Sequence, residues 1–293
     1  MTARAVHRLH PATRDDIGDL ITQRPLPGRL VDQIDPFLFL NHHGPQTYPP
    51  NNRGLPFGPH PHRGFETVTF ILEGMLAHRD NAGHESVIHA GGVQWMTAGR
   101  GIVHAEVSPR EFLERGGPIE ILQLWVNLPS RLKMSEPAYT GLQRADIPAL
   151  PVDEGKVTLN LIAGEWEGRN GPVRSLTGVF MSTLEMRAGG RIRFGGLEGR
   201  NVFLYVARGV VQVGNHADLV SPMHLVELDE TGDTVEIHAS QAASSQDCVV
   251  VFGHAEPIRE PVVSHGPFVM TTREEIAQAI SDYQAGRFGS ALG

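Results

Sequence analysis

Two pairs of metal-binding side chains stand at the same short spacing in the first third of the sequence. His60 and His62 are separated by one proline, and His104 and Glu106 by one alanine. Side chains two positions apart point to one face of a β-strand, so each pair can direct its donors toward a common point. Together they form a donor set of three imidazoles and one carboxylate, without a thiolate. This set suits Fe(II), and less well copper, nickel, manganese or zinc.

The surroundings of the pairs decide whether they are more than surface histidines. A single His-x-His pattern is most often incidental, but here each pair is followed by a glycine-rich strand pattern. That context favours a metal site. Pro61 has no N–H to donate, so we expect its segment to be a strand start, an edge strand or a bulge.

The elements that must position these side chains are predicted to be short strands. The 293 residues include 33 glycines and 21 prolines, which leaves little room for long helices. Runs of β-branched and aromatic residues, each ended by Gly, Asn, Asp or Pro, recur in both halves. They lie at 37–40, 67–72, 75–79, 86–89, 94–96, 119–128, 157–162, 179–184, 202–206, 210–213, 225–228, 235–238 and 248–252. This spacing predicts an all-β sandwich or barrel.

Proline-rich segments divide the strands into two groups. A loop is predicted over 45–59, after the apolar run 37–40 and the polar residues 41–44. A connector is predicted over 129–151, where four prolines occur and apolar periodicity is weak. The domains are therefore predicted as 1–133, which carries the metal site, and 134–293. The second half has no His-x-His pair before its glycine turn, so we expect that barrel to bind no metal.

The C-terminal tail differs from the rest of the chain. Thr272 and Glu275 have the Thr-x-x-Glu spacing of a capping box, which predicts the start of a helix. Ile276, Ala279, Ile280 and Tyr283 then follow at helical spacing, so this short helix should pack an apolar stripe onto a barrel.

Charge and cysteine content exclude several classes of protein. The formal net charge is -8 and blocks of Lys or Arg are absent, which disfavours direct binding of nucleic acid. The one cysteine, Cys248, lies in an apolar run and reads as a buried residue of a protein from a reducing compartment. No apolar run approaches the length of a membrane span or of a signal peptide, so a cytoplasmic protein without membrane contact is expected.

The order of glycine, histidine and glutamate around both pairs resembles the cupin superfamily. The first cupin motif is matched with one extra residue in its last gap, by Gly54, His60, His62, Glu66 and Gly74. The second motif is matched more loosely, by Gly91, Gly99 and His104, with Thr97 in place of a proline.

Longer segments resemble the pirin family within that superfamily. They are HPHRGFETV at 60–68, QWMTAGRGIVHAE at 94–106, and REPV and HGPFVM at 259–262 and 265–270. The likeness extends over roughly residues 5 to 288. It implies a bicupin, with two β-barrels in one chain and metal in the N-terminal barrel only. It also implies that His60, His62, His104 and Glu106 are the ligands of iron.

The carboxylate ligand has two candidates. In many other cupins the position of Glu66 supplies it, and strand alternation places residues 60, 62 and 66 on one face. Glu106 shares the alternation of His104, so geometry alone leaves both open, while the resemblance to pirins favours Glu106. Whichever of Glu106 and Glu66 lies free beside the metal is the candidate general base.

The resemblance implies two kinds of function. Pirins resemble flavonol dioxygenases, which cleave quercetin with O2 and release carbon monoxide; the partners would then be a flavonoid or enolic substrate and O2. Pirins also resemble iron-dependent regulators that bind a transcription factor or a metabolic enzyme without turnover. Two fused barrels already bury the surface that a cupin dimer would bury, which favours a monomer.

Overall fold

The computed structural model describes residues 2–241, 247–290 and 292. Its strands, in chain order, are β1 (Val6–Pro11), β2 (Thr13–Arg14), β3 (Thr22–Leu26), β4 (Phe37–Tyr48), β5 (Phe57–His62), β6 (Phe65–Glu73), β7 (Met75–Asp80), β8 (Glu85–His89), β9 (Val93–Thr97), β10 (Ile102–Val107), β11 (Gly117–Asn127), β12 (Ala138–Leu142), β13 (Ala149–Val152), β14 (Val157–Ala163), β15 (Glu165–Trp166), β16 (Arg169–Asn170), β17 (Phe180–Met186), β18 (Arg191–Phe194), β19 (Asn201–Arg208), β20 (Val211–Val213), β21 (His224–Leu228), β22 (Val235–Ala239), β23 (Cys248–Ala255), β24 (Val263–His265) and β25 (Phe268–Met270). The helices are α1 (Arg110–Arg115) and α2 (Arg273–Gln284), with 3-10 turns at Ser130–Leu132, Arg144–Asp146 and Asp153–Gly155. The predicted all-β architecture with a short C-terminal helix is confirmed.

The chain forms two compact units, each assembled from separate segments. The first, which we call the apolar unit, comprises 1–13, 24–36 and 146–257. The second, the histidine unit, comprises 14–23, 37–145 and 258–293. The predicted domains, 1–133 and 134–293, differ from these units at both ends of the chain. The reason is strand pairing and packing: β1 pairs with β21, while α2 packs against β24 and β25 within the histidine unit.

The histidine unit is built from two antiparallel layers whose side chains meet in its interior. One layer contains the order β12-β9-β6-β11-β4, and the other the order β5-β10-β7-β8. Ile71 and Ile121 from the first layer and Leu76 and Ile88 from the second share one buried apolar cluster.

The expectation for Pro61 is confirmed. Strand β5 lies at the edge of its layer, and among the described strands its partner is β10. The missing N–H of Pro61 therefore does not interrupt hydrogen bonding in the middle of the sheet. Pro61 is the register partner of Val103, and the register shifts between His104 and Glu106.

The apolar unit has a filled hydrophobic interior. Its large sheet has the order β1-β21-β19-β23-β17-β14-β13, and a smaller one the order β18-β22-β20. Phe180, Phe194 and Phe252 stack or meet edge to edge in the core, with Phe194 and Phe252 centroids 3.7 Å apart. Cys248 belongs to the same core and is a free, buried thiol, as the sequence predicts.

Two predictions about loops are wrong. Strand β4 does not end near Leu40 but continues through Tyr48, because His42 and His43 are buried and hydrogen-bonded instead of forming a turn. The connector 129–151 contains two strands: β12 pairs with β9, and β13 pairs with β14. Strands β12 and β13 each lie at the edge of a sheet, where backbone pairing stabilises a strand and depends little on the side-chain pattern.

The predicted C-terminal helix is confirmed together with its cap. The Thr272 hydroxyl accepts a hydrogen bond from the Glu275 N–H, and the Glu275 carboxylate accepts one from the Thr272 N–H. Ile276 and Ala279 are buried beside Val103 of β10, so the stripe packs within the histidine unit and not in the C-terminal domain as predicted. No helix in the described part of the chain has the length and hydropathy of a membrane span.

Candidate metal centre

Three imidazoles converge on one face of the β5–β10 pair. His60 and His104 are direct register partners, and His62 lies two positions along β5 on the same face. One ring nitrogen of each of the three lies within 4.8 Å of the others. The ring centroids of His60 and His62 lie 4.4 Å and 5.0 Å from that of His104. The spacing of the two sequence motifs thus brings three predicted ligands together.

Backbone carbonyls orient two of these rings. Nδ1 of His60 donates to the Gly58 carbonyl at 2.7 Å, and Nδ1 of His62 donates to the Pro267 carbonyl at 3.3 Å. A carbonyl can only accept, so Nδ1 of each ring carries a proton and Nε2 is the nitrogen left to bind a metal. The two Nε2 atoms lie 3.1 Å apart.

The donor atoms fit a bound cation. At this distance the two Nε2 atoms can share a proton or a cation, and two imidazoles in adjacent positions on a metal are about 3 Å apart for bonds of about 2.1 Å. His104 is buried, and neither of its ring nitrogens has a hydrogen-bond partner. Buried polar atoms are almost always paired, so an unpaired imidazole beside two converging lone pairs fits a ligand set.

Burial keeps two of the imidazoles, those of His62 and His104, in the neutral form that binds metal. Desolvation, reinforced by the neighbouring His60, lowers the pKa of His62 to about 3. Desolvation, with the nearby His62, His60 and His78 rings, holds the pKa of His104 well below its usual value. A neutral imidazole has a free lone pair at neutral pH, so metal need not compete with protons for these nitrogens.

Glu106 lies in the interior beside the imidazoles. Its Oε1 accepts a hydrogen bond from the Thr69 hydroxyl at 2.9 Å, and its Oε2 accepts one from the Gln123 amide at 2.5 Å. Both donors come from the facing layer and fix the carboxylate. Among the described residues, the cluster of converging ligand atoms consists of the three histidines, and Glu106 lies outside it.

Glu66 lies elsewhere. Strand β5 ends at His62 and β6 begins at Phe65, so the alternation expected across 60–66 is interrupted by a turn. Glu66 is three positions from Thr69 and therefore points to the opposite face of β6. Its Oε1 accepts from the Thr97 hydroxyl at 2.7 Å, its Oε2 is buried without a partner, and burial raises its pKa.

A second polar group beside the site was not predicted from the sequence. His78, the register partner of Glu106, donates a hydrogen bond from Nε2 to Asp80 Oδ2 at 3.0 Å, and its ring stacks on Tyr139 at 3.9 Å. The centroids of His78 and His104 are 5.4 Å apart. His78 and Asp80 have the same spacing of two as the predicted ligand pairs, and that signal could have found them.

An aromatic wall borders the three imidazoles. Trp125 lies 4.4 Å from Phe65, 4.7 Å from Phe39 and 5.5 Å from His62, measured between ring centroids. Phe39 and Trp125 are only partly buried, unlike Phe65.

Comparison with known proteins agrees with this architecture. The family model "Pirin" matches residues 19–126, and the model "Pirin C-terminal cupin domain" matches residues 181–289. Pirin from Homo sapiens is 39% identical over 262 residues, which cover 88% of this chain and 84% of that protein. A Pseudomonas aeruginosa protein provisionally named quercetin 2,3-dioxygenase is 37% identical over 279 residues, covering 94% and 95%.

Solved structures agree as well. The crystal structure of a quercetin 2,3-dioxygenase from Acinetobacter baumannii superposes with a TM-score of 0.90 at 32% identity, covering 99% of this chain and 100% of that one. The superposed region covers both halves of this chain. The family model that matches residues 181–289 describes a cupin domain. The chain is therefore a bicupin and belongs to the pirin family.

Proposed function

We propose that this protein is a metal-dependent dioxygenase that cleaves flavonols and related enolic substrates with O2 and releases carbon monoxide, as quercetin 2,3-dioxygenase does. The observation that carries the proposal is the convergence of three imidazoles, each with one ring nitrogen within 4.8 Å of the others and two of them through Nε2. The likeness to the Acinetobacter baumannii enzyme supports the same activity. The partly exposed rings of Phe39 and Trp125 would stack on a flat aromatic substrate.

His60, His62 and His104 would hold the metal, with Glu106 as the fourth ligand. Fe(II) is the proposed ion, and copper, nickel, manganese and zinc accept the same donors. When bound, a divalent metal lowers the pKa of an enolic hydroxyl as a Lewis acid.

Glu106 is proposed to receive the proton of that hydroxyl at Oε2. Thr69 and Gln123 donate hydrogen bonds to Glu106, which hold its carboxylate in place beside the imidazoles. Each carboxylate oxygen has two lone pairs, so an oxygen that accepts one hydrogen bond can still take a metal or a proton. Glu66, on the other face of β6, is then a buried support of the strand and not the base.

The test pairs His104→Ala with His89→Ala. His104→Ala should lose bound metal and O2 uptake with quercetin, because it removes one of three imidazoles. His89 is an exposed histidine of β8, and its variant should keep both. Metal content is measured on protein purified without added metal and after anaerobic loading with Fe(II); turnover is followed with an oxygen electrode and by carbon monoxide release.

The outcomes separate the two functions that the family suggests. Turnover in metal-free protein would contradict the mechanism. Metal bound by the wild type without O2 uptake across a panel of flavonols and other enols would favour a redox-sensing regulator, whose capture of a protein partner should then differ between Fe(II) and Fe(III).

A further inference from the structure

The ring of His62 depends on a segment 205 residues further along the chain. The Pro267 carbonyl accepts from His62 Nδ1 at 3.3 Å, and also from the Arg63 N–H at 3.4 Å. The Val269 N–H in turn donates to the Arg63 carbonyl at 3.0 Å. Residues 267–269 thus run alongside Arg63 and set the direction in which the His62 ring points.

A buried lysine holds these two backbone segments together. Lys133 is 2% exposed, and its ammonium donates three hydrogen bonds. The acceptors are the Gly64 carbonyl at 3.0 Å, the Val269 carbonyl at 3.1 Å and Asn127 Oδ1 at 2.7 Å. All three protons of the ammonium are therefore used, and two of them join the segment after His62 to the segment after Pro267.

The chemistry of the three acceptors indicates the role of Lys133. None of them is a carboxylate, so this is not a buried ion pair, and a buried ammonium is costly unless its hydrogen bonds are all made. An apolar side chain would fill the same space without that cost. What an apolar residue could not do is fix two carbonyls at hydrogen-bond distance from one atom.

We propose that Lys133 is a positioning residue of the metal centre: it binds 267–269 to 63–64, so that the Pro267 carbonyl keeps the proton on His62 Nδ1 and leaves Nε2 for the metal. The inference rests on the proposed metal site but not on dioxygenase activity. Partners that orient a ligating histidine typically change metal affinity 10- to 100-fold when they are lost.

The experiment compares metal binding in full-length variants. Lys133→Met and the milder Lys133→Gln are expected to weaken Co(II) or Fe(II) binding by about 10- to 100-fold in competition with a chelator. In protein labelled with 15N at histidine, the signals of His62 should lose the pattern of a ring protonated at Nδ1. Asn127→Ser is the matched control. It removes one acceptor of Lys133 but leaves the hydrogen bonds to the Gly64 and Val269 carbonyls, which join the two segments.

A stability control separates positioning from general weakening. Val226→Ala creates a cavity in the core of the apolar unit and should lower the unfolding temperature without changing metal affinity. The proposal is overturned if folded Lys133→Gln binds metal within twofold of the wild type, or if His62 keeps its Nδ1 proton. A wild type that binds no metal overturns the metal site itself, whereas metal binding without turnover leaves this inference standing.

Discussion

At the scale of single residues, the two candidate carboxylates differ in what surrounds them. Glu106 accepts hydrogen bonds at both oxygens, from the Thr69 hydroxyl and the Gln123 amide. Glu66 interacts with the Thr97 hydroxyl and with Trp95, but burial outweighs both and raises its pKa, which favours the neutral form. A metal ligand must be deprotonated, so these surroundings favour Glu106.

Glu106→Gln and Glu66→Gln test this difference. Glu106→Gln should weaken metal binding at least 10-fold and abolish O2 uptake, because an amide is a poor ligand and no base. Glu66→Gln should keep its metal, and it should be more stable than the wild type at pH 8, where the unfolded chain ionises Glu66 but burial opposes ionisation in the fold. Metal analysis measures the loss of metal, and urea unfolding measures the change in stability. Loss of metal from Glu66→Gln but not from Glu106→Gln would identify Glu66 as the ligand.

At the scale of elements, the turn between β5 and β6 decides which carboxylate reaches the site. Gly64 has φ +90°, a conformation that favours glycine, and a Cβ there would lie 2.0 Å from the Val269 carbonyl oxygen. The turn therefore needs both the backbone freedom and the small size of glycine. It also places Phe65 and Thr69, and not Glu66, on the interior face of β6.

Gly64→Ala is expected to destabilise the fold and release metal, because the 267–269 segment must move away from His62. Gly83→Ala is the control: its φ is +96°, but nothing lies within 4 Å of the added Cβ. Gly83→Ala should lower the free energy of unfolding by only about 1 kcal/mol, from the strained backbone conformation, and should keep the metal. Thermal unfolding and chelator competition report the two effects, and equal metal loss in both variants would contradict this account of the turn.

At the scale of the whole molecule, acid should weaken the apolar unit through one histidine. Burial, with the nearby cations Arg200 and Arg4, lowers the pKa of His254 from 6.5 to about 3. Arg200 Nε donates to His254 Nδ1 at 2.6 Å, which requires the neutral ring. Between these two pKa values the unfolded chain binds a proton that the folded chain does not.

Stability should therefore fall as the pH drops from about 6.5 toward 3, by at most about 1.4 kcal/mol per pH unit from this group. His254→Asn keeps an acceptor for Arg200 and removes the titration. The difference in unfolding free energy between the variant and the wild type, measured in urea at pH 7 and pH 5, should shift in favour of the variant at pH 5. An unchanged difference would show that His254 does not carry this dependence.

Much of the fold was predictable because it depends on local pattern. The β-rich segments, the edge position of Pro61 and the cap formed by Thr272 and Glu275 all follow from strand alternation, missing donors and helix capping. The extension of β4 was not predictable, because His42 and His43 look like turn residues until burial gives each a partner. Strand β12 was missed because an edge strand gains its stability from backbone pairing.

The sequence alone determined the donor types and their spacing, which predict an N3O metal site and bring three imidazoles to one face of two paired strands. Only the tertiary structure decided how those rings point, because the groups that orient them are backbone carbonyls of Gly58 and Pro267, and every residue carries a carbonyl. The same holds for Lys133: its type is visible in the sequence, but its three acceptors come from segments distant along the chain. Contacts of that kind form only when the chain is folded.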